Sequence, residues 1–383
     1  MAAKLPQDMI FNIFSWLPVR ALYRFRCVCK SWQSLVSDPC FIKTYNDQSN
    51  DSQSLSLIVN NYGPYLHRLD VINPFVASNK DITSISLDIQ SSFNGVSASQ
   101  RHLIGSCYGL ICFHDHALDV CCVLNPFTGD SEKLPTVEEL ADLGHFYSCV
   151  WGFGSSSKAE DFKVLKIVYF RSDWHSSDKQ AAAFIHTVNS NSSSWRRIVE
   201  PIDYYIYPDT QIVVDGNPHW RGTYLNGQDI SLKIVVFNVA EERFLELPYP
   251  DHFEDEKYTV EFMGVLRGSI CIFRCFYSGV VEVWVMEEYG VKESWKRIFS
   301  FAEPKLGNLT RIRQKNLWFL PNSDILLVAY DKQIVLYDPS NGCFQEIAVP
   351  NTRSESRIEV VDCTEKLVLL KGRNASKVRI GSV

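Results

Sequence analysis

The chain has 383 residues, 46% of them hydrophobic and 21% charged, with a formal net charge of −6; this composition excludes wholesale disorder and fibrous or low-complexity architectures. The length accommodates two domains, or a small domain beside a large all-β one. Charge is uneven: residues 1–45 carry six Lys or Arg against two Asp, a net of +4 that leaves −10 for the remainder, so the body is a poor fit for nucleic acid.

At the start, Met1-Ala2-Ala3-Lys4 runs into Leu-Pro and not into a continuous apolar segment, so no secretory signal is expected. No apolar run approaches the roughly 20 residues that span a bilayer. The expectation is a soluble protein of the cytoplasm, the nucleus or both. The twelve cysteines are scattered, mostly inside apolar runs such as Ser269-Ile270-Cys271-Ile272-Phe273, and read as free, buried thiols.

Apolar residues at 9, 10, 13, 14 and 17 follow the spacing of a helical face. Pro6 suits the first turn and Pro18 stops the helix. Leu22, Phe25 and Val28, then Trp32, Leu35 and Val36, continue in two shorter helical pieces that end near Asp38-Pro39. Three helices in about 40 residues cannot bury that much apolar surface among themselves. The surplus face needs a partner.

Leu5-Pro6, Ile10, Ile13-Phe14, Leu17-Pro18, the run Phe25-Arg26-Cys27-Val28-Cys29-Lys30-Ser31-Trp32 and the trailing Asp38-Pro39-Cys40-Phe41 together resemble the F-box. That family docks on the Skp adaptor of cullin–RING (SCF) ubiquitin ligases. The resemblance implies that Leu5, Pro6, Ile10, Ile13, Phe14, Leu17, Pro18, Leu22, Cys29 and Trp32 contact the adaptor or support the residues that do. Spacing does not sort contacts from core. The domain boundaries expected are an F-box over 1–45, a polar linker over 46–54 and a β-rich body over 55–383.

From Leu55 onward, short β-branched and aromatic strands alternate with turn residues. Strands are expected at 55–59, 110–113, 120–124, 163–170, 183–188, 211–214, 232–237, 270–276, 281–286, 325–330, 333–337 and 366–371. Polar turns at Asn125, Asn189, Asn238, Glu287 and Asp338 recur at about 50 residues; that period, with about four strands per unit, fits a β-propeller. Asp70 supplies a sixth turn, so about six blades are expected, with a strand near 366–371 completing the first and closing the ring. Two endings alternate after these turns. Lys133-Leu134-Pro135, Glu246-Leu247-Pro248 and a looser Ile347-Ala348-Val349-Pro350 form one kind. Ser194-Trp195-Arg196-Arg197-Ile198 and Ser294-Trp295-Lys296-Arg297-Ile298 form the other, their tryptophans expected to pack between blades.

The period is kelch-like, but the chain lacks a Gly-Gly pair. Gly105-Ser106-Cys107-Tyr108-Gly109-Leu110-Ile111-Cys112, Leu124-Asn125-Pro126-Phe127-Thr128, Gly152-Phe153-Gly154 with Asp161-Phe162-Lys163-Val164, Asn217-Pro218-His219-Trp220, Gly264-Val265-Leu266-Arg267-Gly268 and the run Trp284 to Trp295 resemble instead the F-box-associated domain of plant F-box proteins. The fold class implied is mainly β, a small helical head before a propeller-like domain. The Trp284–Trp295 signature also resembles S-locus F-box proteins, whose targets are pistil ribonucleases, and F-box proteins that limit immune receptors.

No nucleophile elbow, phosphate loop or metalloprotease helix is present. His114-Asp115-His116 reads as a loop and not as a zinc site, because no second ligand pair accompanies it. Cys271 and Cys275 read as core. No metal, cofactor or catalytic residue is expected. The function implied is a non-catalytic substrate-recognition subunit of an SCF ligase, joined through the adaptor to cullin and RING subunits and holding a protein target. A non-ligase scaffold and a propeller enzyme are the alternatives. Asp251, Phe253, Glu254, Asp255 and Glu256 form the densest acidic loop, which is suited to a basic target.

Overall fold

The computed structural model describes residues 6–48, 55–63, 65–71, 82–89, 100–138, 143–156, 161–172, 179–190, 194–208, 211–225, 231–250, 259–276, 278–302, 315–319, 326–330, 333–338, 342–347, 349, 358–370 and 375–382. The head has four helices: α1 (Gln7–Ser15), α2 (Val19–Phe25), α3 (Lys30–Val36) and α4 (Pro39–Gln48). Pro6 and Pro18 stand immediately before α1 and α2, where a missing N–H costs no helical bond.

Helix α4 departs from the expectation of three helices ending at Asp38-Pro39. Asp38 caps it by accepting from the Phe41 N–H at 3.0 Å, Pro39 fits its first turn, and Phe41 and Tyr45, one helical step apart, are buried. Asn46–Gln48, expected as linker, are the last turn of this helix. Residues 49–54 lie outside the described residues.

The body contains β1 (Leu55–Asn60), β2 (Tyr65–Val71), β3 (Ile82–Asp88), β4 (Arg101–Cys107), β5 (Leu110–Asp115), β6 (Val120–Leu124), β7 (Asp130–Lys133), β8 (His145–Ser155), β9 (Phe162–Arg171), β10 (Lys179–Thr187), β11 (Arg196–Arg197), β12 (Tyr204–Ile206), β13 (Ile212–Val214) and β14 (Asn217–Tyr224). It continues through β15 (Lys233–Asn238), β16 (Arg243–Leu247), β17 (Thr259–Leu266), β18 (Ser269–Phe276), β19 (Val280–Met286), β20 (Trp295–Ala302), β21 (Lys315–Phe319), β22 (Leu326–Tyr330), β23 (Gln333–Asp338), β24 (Cys343–Ile347), β25 (Glu359–Cys363), β26 (Ala375–Lys377) and β27 (Arg379–Ser382). Among the described residues these form six antiparallel sheets of four or five strands. The second to sixth blades follow chain order from β4, β8, β12, β17 and β21.

Closure uses both ends of the chain. β25 pairs with β1 as the inner strand of the first blade, and β27 pairs with β3 at its outer edge. β26 extends the second blade beyond β7. The closing strand is therefore 359–363 and not 366–371: residues 364–370 form no strand, although Leu367 to Leu370 are buried. Each sheet keeps an inner edge strand, but the closed ring leaves these edges short and shielded, which limits a route to aggregation.

The polar turns act as local chemistry dictates. The Asn125 side-chain oxygen accepts from the N–H groups of Phe127 and Thr128, and that of Asn238 from Ala240 and Glu241, as in Asx turns. Asn189 takes a positive φ of 61°. Asp70 instead lies within β2, where it accepts from Ser56 and Arg68. Its aspartate marks the end of a third strand, not a turn.

Candidate functional site

The apolar positions of α1 divide into two faces. Ile10, Phe14 and Leu17 turn inward; Phe14 is buried and the other two pack on the core. Met9, Ile13 and Trp16, offset by one position, turn outward and are 54%, 50% and 87% exposed. Both sets keep the 4-then-3 spacing of a helical stripe, so the sequence pattern was a sum of two faces. Val28, 61% exposed, adds to the outward set.

The other candidate adaptor residues sort by the same geometry. Leu22 is fully buried, and Trp32 stacks edge-on against Phe14 at 5.1 Å and near Phe25 at 5.2 Å. Phe14, Leu22 and Trp32 thus build the head, and Phe14 and Leu22 are withdrawn from any contact surface. Pro6, Pro18 and Cys29 are exposed; Leu5 lies outside the described residues. Sequence reasoning missed Met9, Trp16 and Val28, although the i, i+4, i+7 relation of Met9, Ile13 and Trp16 would have found the first two.

The head is seated on the propeller through α2 and α4. Phe14, Val19, Leu22, Val36, Phe41 and Tyr45 share one hydrophobic core with residues of the first two blades and of the 364–370 segment. Polar contacts frame it. The Val19 N–H donates to Glu365 at 2.8 Å, the Tyr23 hydroxyl donates to Asp130, and the Lys366 ammonium donates to the Asn46 carbonyl at 2.7 Å. The Lys377 ammonium lies 4.4 Å from the Tyr23 ring centre. Burial raises the Glu365 and Asp130 carboxyls and the Tyr23 hydroxyl above their ordinary values. Head and body form one packed unit here, where the sequence indicated a tether.

The signature motifs of the body are blade-to-blade fasteners. The Trp195 indole donates to the Pro135 carbonyl at 2.7 Å, and that of Trp295 to Pro248 at 3.0 Å. The two alternating endings are thus the halves of one clasp, each tryptophan reaching back to the Leu-Pro of the preceding blade. His219 is fully buried; its Nδ1 faces the Asn217 carbonyl at 2.8 Å and must carry the proton, so its Nε2 accepts from the Tyr289 hydroxyl at 2.8 Å. A Cβ on Gly152 would stand 2.7 Å from the Trp220 ring, which ties Gly152-Phe153-Gly154 to Asn217-Pro218-His219-Trp220.

His114 and Asp115 are the buried last residues of β5 and not a loop. His114 Nε2 lies 3.0 Å from Asp119, and its ring lies 4.5 Å from that of Trp151. Hydrogen bonds from His114 and Lys166 hold the Asp119 carboxyl well below the usual range against its burial. Among the described residues no His, Cys, Asp or Glu group is arranged to hold a metal ion, and no helix is long and apolar enough to cross a membrane. Cys271 and Cys275 are buried core residues. The acidic run Asp251, Phe253, Glu254, Asp255 and Glu256 lies outside the described residues.

Residues 3–44 match the F-box domain, and residues 55–376 match the F-box associated beta propeller domain. The chain belongs to the F-box proteins with an F-box-associated β-propeller. Its curated relatives include the Arabidopsis thaliana F-box protein At3g07870, 28% identical over 90% of this chain and 87% of that one. The A. thaliana F-box protein CPR1 is 25% identical over 94% and 88%, and the A. thaliana F-box/kelch-repeat protein At3g23880 is 26% identical over 89% of each chain. In this F-box protein the helical head with its outward apolar face is the candidate adaptor site. The ring body is the candidate site for a target.

Proposed function

We propose that this F-box protein is the substrate-recognition subunit of an SCF-type E3 ubiquitin ligase. The observation that carries this reading is the division of the head. One face of α1 packs into the head's own core, which continues into that of the first two blades, and the other, with Met9, Ile13 and Trp16, stays exposed on a helix whose fold is already satisfied. An exposed apolar stripe on a packed unit is a protein docking surface. The Skp adaptor covers it and connects the chain to cullin and RING subunits. The propeller holds a protein target, whose ubiquitination marks it for the proteasome.

The chain does no bond chemistry of its own in this reading. It raises the local concentration of target lysines beside the loaded conjugating enzyme, and the shared core between head and body fixes the orientation in which they are presented. The setting is the cytoplasm, the nucleus or both. The test is co-purification with a Skp adaptor. Leu5→Ala with Pro6→Ala, and separately Ile13→Asp with Trp16→Ala, should abolish recovery of the adaptor while the body stays folded. Adaptor recovered at wild-type levels from both variants overturns the reading. A target that accumulates on proteasome inhibition separates a ligase from a scaffold that only binds the adaptor.

A further inference from the structure

Strand direction divides the propeller into two ends. β4 runs from Arg101 to Cys107, and the turn that follows brings Gly109 against Lys366, which donates to the Asn46 carbonyl of the head. His102, at the start of β4, therefore lies toward the end away from the head. The seven residues of β4, at about 3.4 Å each, separate the two.

At that far end a ladder of rings crosses the first three blades. The Tyr62 ring lies 5.6 Å from that of His102, His102 lies 4.9 Å from His116, and His116 lies 4.8 Å from His114, each pair edge to face. A neutral ring offers its electron-rich face to a neighbour's edge in such pairs. The His114 ring is 4.5 Å from Trp151, which is 5.9 Å from the clasp residue Trp195. Carboxylates hold the histidines on either side of His116. His102 Nδ1 meets Glu359 at 2.7 Å, where the Tyr62 hydroxyl also donates at 2.7 Å. His114 Nε2 meets Asp119 at 3.0 Å, and Asp119 accepts from the Lys166 ammonium of the third blade at 2.8 Å. Asp119 closes the turn that His116 opens and takes a positive φ of 48°, a conformation that a non-glycine residue keeps only where its contacts hold it.

We infer that His116 is a proton-sensitive link in this ladder: the neutral ring packs between His102 and His114 and holds the 116–119 turn, and the charged ring leaves, releasing the turn and with it Asp119, whose contact with Lys166 ties the second blade to the third. The physical reason lies in the groups around it. The hydrogen bond to Glu359 raises the His102 imidazole, so His102 takes its proton first. Burial, and then the neighbouring His114 and His102, lower the His116 imidazole. Asp119 and Asp115 act in the opposite sense, but Asp119 is paired with Lys166 and Asp115 stands opposite Arg101. In the unfolded chain each histidine titrates near 6.5. The stability that His102 adds is present below that value and lost as pH rises through its higher folded value. For His116, stability is lost as pH falls from about 6.5 toward its lower folded value. Acidification therefore opens the ladder at its middle rung.

The test is hydrogen exchange of the full chain read by mass spectrometry across about pH 7.5 to 5.5, with rates corrected for the intrinsic effect of pH. The peptide that covers residues 116–119 should exchange about fivefold faster or more at the acid end, while the strands of the other blades keep their protection. His116→Phe keeps a ring that cannot take a proton, so the same peptide should stay protected throughout; His116→Gln serves if the phenylalanine fails to fold. His102→Gln removes the neighbouring cation and should move the midpoint of the wild-type response up by about one pH unit. Equal protection of the wild-type turn at both ends of the range, an unchanged response in His116→Phe or His116→Gln, an unmoved midpoint in His102→Gln, or a rise spread evenly over all blades overturns the proposal.

Discussion

Asn46 and Leu367 bind each other in both directions: the Asn46 amide donates to the Leu367 carbonyl at 3.2 Å, and the Leu367 N–H donates to the Asn46 side-chain oxygen at 2.8 Å. One side chain thereby replaces a strand partner for the 364–370 segment. Asn125 donates to the carbonyls of Lys366 and Val368, and Asn189 donates to that of Leu369. Three asparagines from the head, the second blade and the third blade hold a buried stretch that has no ladder of its own.

Asn46→Ala should therefore destabilise the chain by roughly 2–3 kcal/mol, because a buried donor and a buried acceptor lose their partner together. Urea unfolding measures this. Limited proteolysis should cut between head and body sooner than in wild type. Unchanged stability would mean that water replaces the asparagine at no cost.

Trp195→Phe and Trp295→Phe keep a buried ring but remove the indole N–H that holds the preceding blade. Each should cost about 0.5–1.5 kcal/mol. The two clasps lie in different blade pairs, so the double variant should show the sum of the single effects. Thermal unfolding of the three variants decides the point.

Burial pushes the His219 imidazole down to about 4, while in the unfolded chain it titrates near 6.5. Above the unfolded value both states are neutral and His219 contributes no pH dependence. As pH falls from about 6.5 toward about 4 the unfolded state takes up the proton first. Stability is then lost, by roughly 3 kcal/mol across that window and no further below it. In His219→Gln this limb of the profile should be shallower than in wild type, with the Tyr289 contact weakened. Identical slopes in the two proteins between pH 4 and 6.5 would refute the assignment.

Gly152→Ala should destabilise by about 1–3 kcal/mol, since the new methyl meets the Trp220 ring inside a packed blade interface. Near-ultraviolet circular dichroism should report a shifted tryptophan environment. Gly342→Ala also adds a methyl but meets no atom within 4 Å; its cost arises from the backbone alone, so the tryptophan signal should stay unchanged.

Local chemistry made much of this protein legible in the sequence. The two prolines that open α1 and α2, the asparagine turns and the alternating Leu-Pro and Ser-Trp endings act within a few residues, and a period near 50 follows from repeating one four-stranded unit. The helical spacing of α1 was equally visible, because 3.6 residues per turn is a property of the chain itself.

The partition of that helix was decided only by tertiary structure. Residues 9, 10, 13, 14 and 17 are alike in apolarity, and only the packing of α1 against the rest of the head, where Phe14 meets Phe25 and Trp32, separates Ile10, Phe14 and Leu17 from Met9 and Ile13. The same holds for closure. Val360 and Val361 complete the first blade while the equally apolar Leu367 to Leu370 pack without a strand, since which segment finds a vacant sheet edge depends on where the ring brings its ends together. The ladder from Tyr62 to Trp151 is anchored on Glu359, 297 positions from Tyr62. A sequence fixes such a stack only through the fold, because the rings and carboxylates that build it are neighbours in space and strangers along the chain.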